Sequence, residues 1–543
     1  MADHFFLGWL MCSFALCDLN LARAALNVQI LAPGFVNTPM PSTITLCGPA
    51  FATGVDYLNR IYAPDMNVTL AYVYDSNFGN CASFTDETVN MVSRWLYEKR
   101  DPKSLTVIIT PSCAMDPIVM MQVATQWNIL LITSTQSDLM MRNKVLAPTW
   151  ITTNVYPAQH YGTAMLSLMQ THKWTSIFVA EEDGPLAFYN SVGSIVKRDL
   201  QANNIQHVYF KYKAGDSALD FGQFLREFHR KSRVMIFLGP AESLRILLIQ
   251  AHSRDMANHE FVYIAFTPFP YKRYGTFTWN KGDDDDSIVR QAYRSVLLFM
   301  AIDLSQDTSA NLTSMTAVWT ALYRSDPFYR NQDMQDDPPV PFLAGTQAAL
   351  EMLAQVLNET LTTDPTFDLQ NGAALAQQFW NRTFDTTTGR VSLDQYGDRF
   401  PITSLSSFDG SKLEVLARSN FRTGSFQWEY LRNISWYGGS QLPLNEPYCG
   451  YDGHSWRCLA VKSGRDTLEI ALIVVASTLG LGLAPLLYIY CTRWRNNPNS
   501  CWFLLDNALM KLRTTGKDNS FSRADCSLIV ARRYQSGIPT YGR

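Results

Sequence analysis

Ten cysteines, five Asn-X-Ser/Thr sequons and one run of aspartates are the groups in this 543-residue chain whose types and spacing could carry chemistry. Motifs of catalysis are missing. The sequence holds no Gly-x-Ser-x-Gly elbow, no His-Glu-x-x-His pair and no Gly-x-x-x-x-Gly-Lys phosphate loop, and its eight histidines are scattered. We therefore expect no catalytic residue, no cofactor and no metal site. The acidic run Gly282-Asp283-Asp284-Asp285-Asp286 lacks the alternating ligand spacing of a calcium loop and reads as a solvated loop. A net charge of −3 leaves no electrostatic footprint for nucleic acid. The sequons at Asn67, Asn311, Asn358, Asn381 and Asn433 are acceptors for N-glycan in a secretory chain.

Two apolar segments decide where those groups reside. Residues 5–17 form a run of signal-peptide length, too short to span a bilayer, and Ala22-Arg23-Ala24 supplies a small-x-small cleavage pattern. Residues 1–24 are read as a signal peptide. Residues 470–491 carry no charge and are long enough to cross the hydrocarbon core, and the spanning helix is placed at 468–491. Gly480 and Gly482 lie inside that span and read as packing positions. Arg493 and Arg495 follow it, and the tail 492–543 is basic, so the positive-inside rule puts the N-terminus outside the plasma membrane and the tail in the cytoplasm. All five sequons precede the span. Cys12 and Cys17 fall in the signal region, and Cys491, Cys501 and Cys526 at or beyond the membrane. Cys47, Cys81, Cys113, Cys449 and Cys458 remain, an odd number in an oxidising compartment.

Between the two segments, from Asn27, short apolar runs alternate with amphipathic stretches. Strands are expected at 28–32, 68–74, 105–110 and 129–133, with helices at 49–61, 86–97 and 116–125. The pattern restarts with helices at 158–171, 185–203, 221–231 and 242–254, and strands at 176–180, 208–213, 234–238 and 262–265. Such alternation gives a mostly parallel sheet covered on both faces. The expected fold is therefore α/β, with two similar lobes in an extracellular region 25–464 and a crossing at 152–157. Ligands of open α/β sheets sit beyond the strand carboxyl ends, so facing lobes make a cleft that closes by hinge motion. After Thr267 the pattern is less regular. Residues 336–342 read as a Pro-rich break, 343–357 and 372–380 as helices.

The segment Asn381-Arg-Thr-Phe-Asp-Thr-Thr-Thr-Gly-Arg-Val-Ser-Leu-Asp-Gln-Tyr-Gly-Asp-Arg resembles a signature of receptor guanylate cyclases and natriuretic peptide receptors. Trp174 before a strand, Pro111-Ser112-Cys113 before a helix, and Trp127-Asn128-Ile129 also resemble motifs of that family. Taken alone, the segment reads as a hairpin, with Gly389 and Gly397 at turns and Asp398-Arg399 as a local charge pair. The resemblance implies a type I periplasmic-binding-protein-like ectodomain over residues 27–458. It implies a first disulfide between Cys81 and Cys113 and a membrane-proximal one between Cys449 and Cys458. Cysteines matching the second-lobe disulfide of natriuretic peptide receptors are missing. Cys47 is left over, as a buried thiol or, second in order, as an intermolecular bridge. The family's anion site maps to Ser76, Ser112 and Cys113, with the family's glycine replaced by Ser112. The family also implies a homodimer, or a mixed dimer with related receptors.

The reading that follows is a single-pass cell-surface receptor. It binds an extracellular peptide or small molecule, and either signals through a cyclase or scavenges ligand without one. The alternative is a shortened form of a receptor guanylate cyclase that synthesises cyclic GMP. A channel or seven-helix receptor using the same ectodomain is disfavoured by the single spanning segment. The tail places no pair of acidic residues to hold the two metal ions of nucleotide cyclisation, since Asp506, Asp518 and Asp525 stand singly.

Overall fold

The computed structural model describes residues 25–36, 42–78, 80–111, 116–135, 139–155, 158–184, 186–213, 219–269, 271–301, 310–420, 426–439, 441–455 and 484–493. One unit runs through Cys458 and a second starts at Leu459. Of the second, the described part is a helix at 484–493 with Leu486, Leu487, Tyr488 and Ile489 exposed. The expected signal peptide, most of the expected span and nearly all of the tail lie outside the described residues.

In the first lobe, β1 (Leu26–Pro33), β2 (Met66–Val73), β3 (Leu105–Thr110), β4 (Leu131–Thr133) and β5 (Trp150–Thr152) form a parallel sheet in the order β2-β1-β3-β4-β5. The two-residue period of a strand sorts its side chains. Ile30, Val107 and Ile109 face a core shared with helices Ile44–Ile61 and Val340–Thr363. Leu31 and Ile108 face the opposite core, with Val92, Trp95 and Met120 from helices Cys81–Glu98 and Asp116–Trp127. Every residue of β3 is buried, which explains its unbroken apolar and β-branched sequence.

Sheet two has eight strands in the order β15-β14-β13-β10-β9-β8-β6-β7. Strands β6 (Ser176–Glu182), β7 (Gln206–Tyr212), β8 (Val234–Leu238), β9 (Val262–Thr267) and β10 (Val296–Met300) are parallel. Strands β13 (Ser404–Phe408), β14 (Leu413–Asn420) and β15 (Gln427–Tyr430) add an antiparallel edge. Strands β11 (Thr383–Thr386) and β12 (Gly389–Ser392) form the hairpin expected in the signature segment.

The two-lobed α/β architecture agrees with the sequence reading, and differences collect at particular places. Helix Ile44–Ile61 begins five residues before the expected start and carries Pro49 inside it. Its first turn is anchored by Ile44 N–H donating to the Phe35 carbonyl at 3.1 Å, a tertiary contact that propensity does not register. Helix Val340–Thr363 starts inside the expected Pro-rich break, because Pro341 occupies its first turn, where no N–H is needed. Among the described residues this helix alone is long and apolar enough to cross a membrane, yet it is buried in the first lobe's core. Strands β5, β10, β13, β14 and β15 and helix Ala310–Ser325 were not expected.

The aspartate run is more than a solvated loop. Asp283 and Asp286 both pair with the buried Arg245, and Asp286 accepts from the backbone N–H groups of Lys281 and Gly282. A buried guanidinium requires this compensation.

Candidate functional site

The chain passes between the lobes after β5, after β10 and after β12. The signature segment supplies the last of these passages, and its carboxylates converge on Arg142, in the loop between β4 and β5. Arg142 Nη1 lies 2.8 Å from Asp394 Oδ2 and 2.7 Å from Asp398 Oδ2. Its guanidinium also stacks 4.5 Å from the Tyr396 ring centroid. Asp394 Oδ1 accepts the backbone N–H of Tyr396 at 2.8 Å and of Asp398 at 2.9 Å, which folds the turn around Gly397 at φ +69°. The Thr152 N–H at the end of β5 donates to the Gly397 carbonyl at 2.9 Å. A Cβ at Gly397 would approach Ile151 to 2.7 Å, so the close approach itself demands glycine.

The local Asp398–Arg399 pair expected from the sequence is not what forms. Asp398 pairs with Arg142, 256 residues away, and Arg399 donates to the Thr153 carbonyl at 3.0 Å. Adjacent residues on an extended segment point to opposite sides, so neighbours in sequence are poorly placed to pair. Arg142 and Lys144 were not singled out from sequence. The available signal was two cations, Arg142 and Lys144, set between the apolar residues of Leu139–Met141 and Val145–Ala147 ahead of β5. Lys144 Nζ donates to the Trp150 carbonyl at 2.6 Å and lies 4.5 Å from the Trp150 ring centroid.

Burial dominates the electrostatics. Burial and then the Asp394 charge push the Asp398 carboxyl up to about 7, against the pull of Arg142. Burial brings Lys144 down to about 7 and His160 down to about 4. The ligand atoms of His160, Asp394 and Asp398 lie within 4.8 Å of one another, a geometry that could hold a metal ion. Arg142 already places a cation against both carboxylates, so the charge such an ion would supply is present. The arrangement ties the signature segment, as it leaves β12 for the second lobe, to the loop between β4 and β5 of the first.

The other expected site residues fall elsewhere. Cys81 opens helix Cys81–Glu98, where Asn80 Oδ1 caps the N–H of Ser83 at 2.9 Å. Cys81 and Cys449 each belong to a disulfide, and the partners expected for them, Cys113 and Cys458, lie outside the described residues. Ser76 is exposed beyond the end of β2, while Ser112 also lies outside the described residues. Cys47 carries a thiol in the first lobe's core, 0% exposed and held by Thr346, with burial pushing it up to about 12. A side chain so placed cannot reach another molecule. The five sequon asparagines are exposed. Trp174 is buried and donates to the Pro443 carbonyl at 2.8 Å, tying the second lobe to the segment before Cys449.

Residues 46–411 match the receptor family ligand binding region. Atrial natriuretic peptide receptor 3 of Mus musculus is 24% identical over 446 residues, covering 80% of this chain and 78% of that receptor. Atrial natriuretic peptide receptor 2 of the same species is 22% identical over 507 residues, covering 84% of this chain and 44% of that receptor. A receptor-type guanylate cyclase of Caenorhabditis elegans is 26% identical over 239 residues, 43% of this chain and 18% of the cyclase.

Proposed function

Since the chain belongs to the receptor family that shares this ligand-binding region, we propose that it is a single-pass plasma-membrane receptor for an extracellular peptide. The observation that carries this reading is the extent of the match, which runs through both lobes and all three passages between them. Peptide is favoured over a small molecule because two of the similar proteins are named for a peptide ligand. Region 25–464 is the extracellular part, glycosylated at Asn67, Asn311, Asn358, Asn381 and Asn433. The chain crosses the membrane at 468–491 with the basic tail 492–543 inside, and pairs with a second copy or a related receptor. Disulfides Cys81–Cys113 and Cys449–Cys458 brace the two ends of the ectodomain. Ser76, Ser112 and Cys113 stand where an anion would bind.

On this reading the chain captures ligand and makes no cyclic GMP by itself. Membranes from cells expressing all 543 residues, assayed with GTP and manganese, should yield cyclic GMP at the level of mock-transfected membranes. Production clearly above mock would overturn the non-catalytic reading and favour the cyclase alternative.

A further inference from the structure

A cluster of buried polar atoms without hydrogen-bond partners gathers at the carboxyl ends of three adjacent strands in the second lobe. Glu182 ends β6 and is 4% exposed, yet its Oε2 has no hydrogen-bond partner, and burial alone raises its carboxyl. The preceding Glu181, on the opposite side of the strand, is paired with Lys211 at 3.1 Å. Glu182 is paired with no cation among the described residues. The hydroxyl of Tyr189, 0% exposed, and the Asn190 Oδ1 are unpartnered as well. The hydroxyl of Tyr212, which ends β7, points into the same group of atoms with Ser243 as its hydrogen-bonding neighbour.

These atoms belong together. Asp183 N–H donates to the Tyr212 carbonyl at 2.6 Å, and Asn190 Nδ2 to the Gly184 carbonyl at 3.3 Å. A Cβ on Gly184 would stand 2.4 Å from Glu182 Oε1, and one on Gly239, just past β8, 1.7 Å from the Tyr212 hydroxyl. The Glu182 charge reaches both Tyr189 and Tyr212. Aromatic rings flank the cluster. Tyr189 packs on Tyr274 at 5.9 Å between centroids, and Phe188 on Tyr274 at 6.2 Å.

A lone carboxylate is unfavourable to bury unless something compensates its charge. An unpartnered buried polar group calls for a specific explanation, and a bound ligand, ion or water is one. Open α/β sheets bind ligands at this edge. We propose that Glu182, Tyr189, Asn190 and Tyr212 form a binding site for a primary ammonium group carrying an apolar or aromatic body. The three ammonium donors match the acceptors Glu182 Oε2, Asn190 Oδ1 and a tyrosine hydroxyl, and the rings of Tyr189 and Tyr274 favour an organic cation. A hard divalent ion would want more oxygen ligands and a second carboxylate. This inference rests on the receptor reading and names the chemistry of a ligand, or of a ligand side chain, for it.

Phenethylammonium is the probe, titrated into the detergent-solubilised full chain by calorimetry, with phenethyl alcohol and 3-phenylpropionate as controls. Saturable binding of the amine is expected, at least tenfold tighter than either control and weakened at least tenfold by Glu182→Gln. Without ligand, Glu182→Gln should melt at a higher temperature than wild type, because it removes an uncompensated buried charge. Tyr189→Phe should weaken the amine and leave the melting temperature within a few degrees. Equal binding of alcohol and amine, or no binding of the amine, overturns the site. A lower melting temperature for Glu182→Gln also overturns it, since the carboxylate would then be structural. A wild-type chain that ignores the amine yet binds peptide at the cell surface sinks this site alone and leaves the receptor reading standing.

Discussion

Replacing Arg142 by methionine is expected to destabilise the two-lobed unit by about 3–5 kcal/mol. Methionine keeps much of the side chain's apolar stem and removes the charge. Asp398, with 1% of its side chain exposed, and Asp394, with 8%, would then lack the guanidinium that touches both. Breaking a buried pair from one side leaves charge that water cannot reach, and that penalty exceeds the net worth of the pair. If the contact behaved as a surface ion pair, the loss would stay below about 1 kcal/mol. The triple variant Arg142→Met, Asp394→Asn, Asp398→Asn should recover most of the loss, because no uncompensated charge remains. Urea unfolding of the detergent-solubilised chain, followed by tryptophan fluorescence, measures all three. A single variant as stable as wild type would remove the cluster from the account of how the lobes are joined.

Second in size is an acid sensitivity carried by His160. Its ordinary value is 6.5 and burial lowers it to about 4 in the folded chain. Below pH 6.5 the unfolded state takes up a proton that the folded state refuses until about pH 4. Stability is therefore intact above 6.5 and lost as the pH falls to 4, by roughly 3 kcal/mol in total. Asp398 acts with the opposite sign. Its folded value of about 7 lies above its ordinary 3.8, so the folded state gains protons first as the pH falls through 7. The two partly cancel in wild type, and the difference between variants exposes each. His160→Gln should gain roughly 3 kcal/mol relative to wild type between pH 7 and pH 4, and Asp398→Asn should lose ground over the same window. Wild-type and His160→Gln curves that run parallel across that window would show that His160 is not held neutral.

Much of this fold could be read before any coordinates. Strands such as Leu105–Thr110 and Val234–Leu238 are buried on both faces, so their sequences are apolar or β-branched throughout and their ends are visible. Strands β13 and β14 escaped because Ser-Leu-Ser-Ser-Phe and Leu-Glu-Val-Leu-Ala-Arg-Ser-Asn lie toward an antiparallel edge, where polar residues are tolerated and periodicity is diluted. The signature segment was legible as a hairpin from its glycines. Its partner was not, because an ion pair spanning 256 residues leaves no local trace. The same holds for Arg245 and its aspartates, where composition suggested solvent and burial of one arginine explains the charge. Glu182 drew no notice because a carboxylate at a strand end looks like any other until its neighbours are known.

Peptide binding at the surface of intact cells tests the central claim most directly. Cells expressing the full chain are incubated, without permeabilisation, with labelled atrial natriuretic peptide and a panel of labelled secreted peptides. Saturable binding of at least one peptide is expected, above mock-transfected cells and abolished by brief trypsin treatment of the intact cells. Binding to no peptide, or binding that emerges only after the membrane is opened, would contradict the account of this chain as a cell-surface peptide receptor.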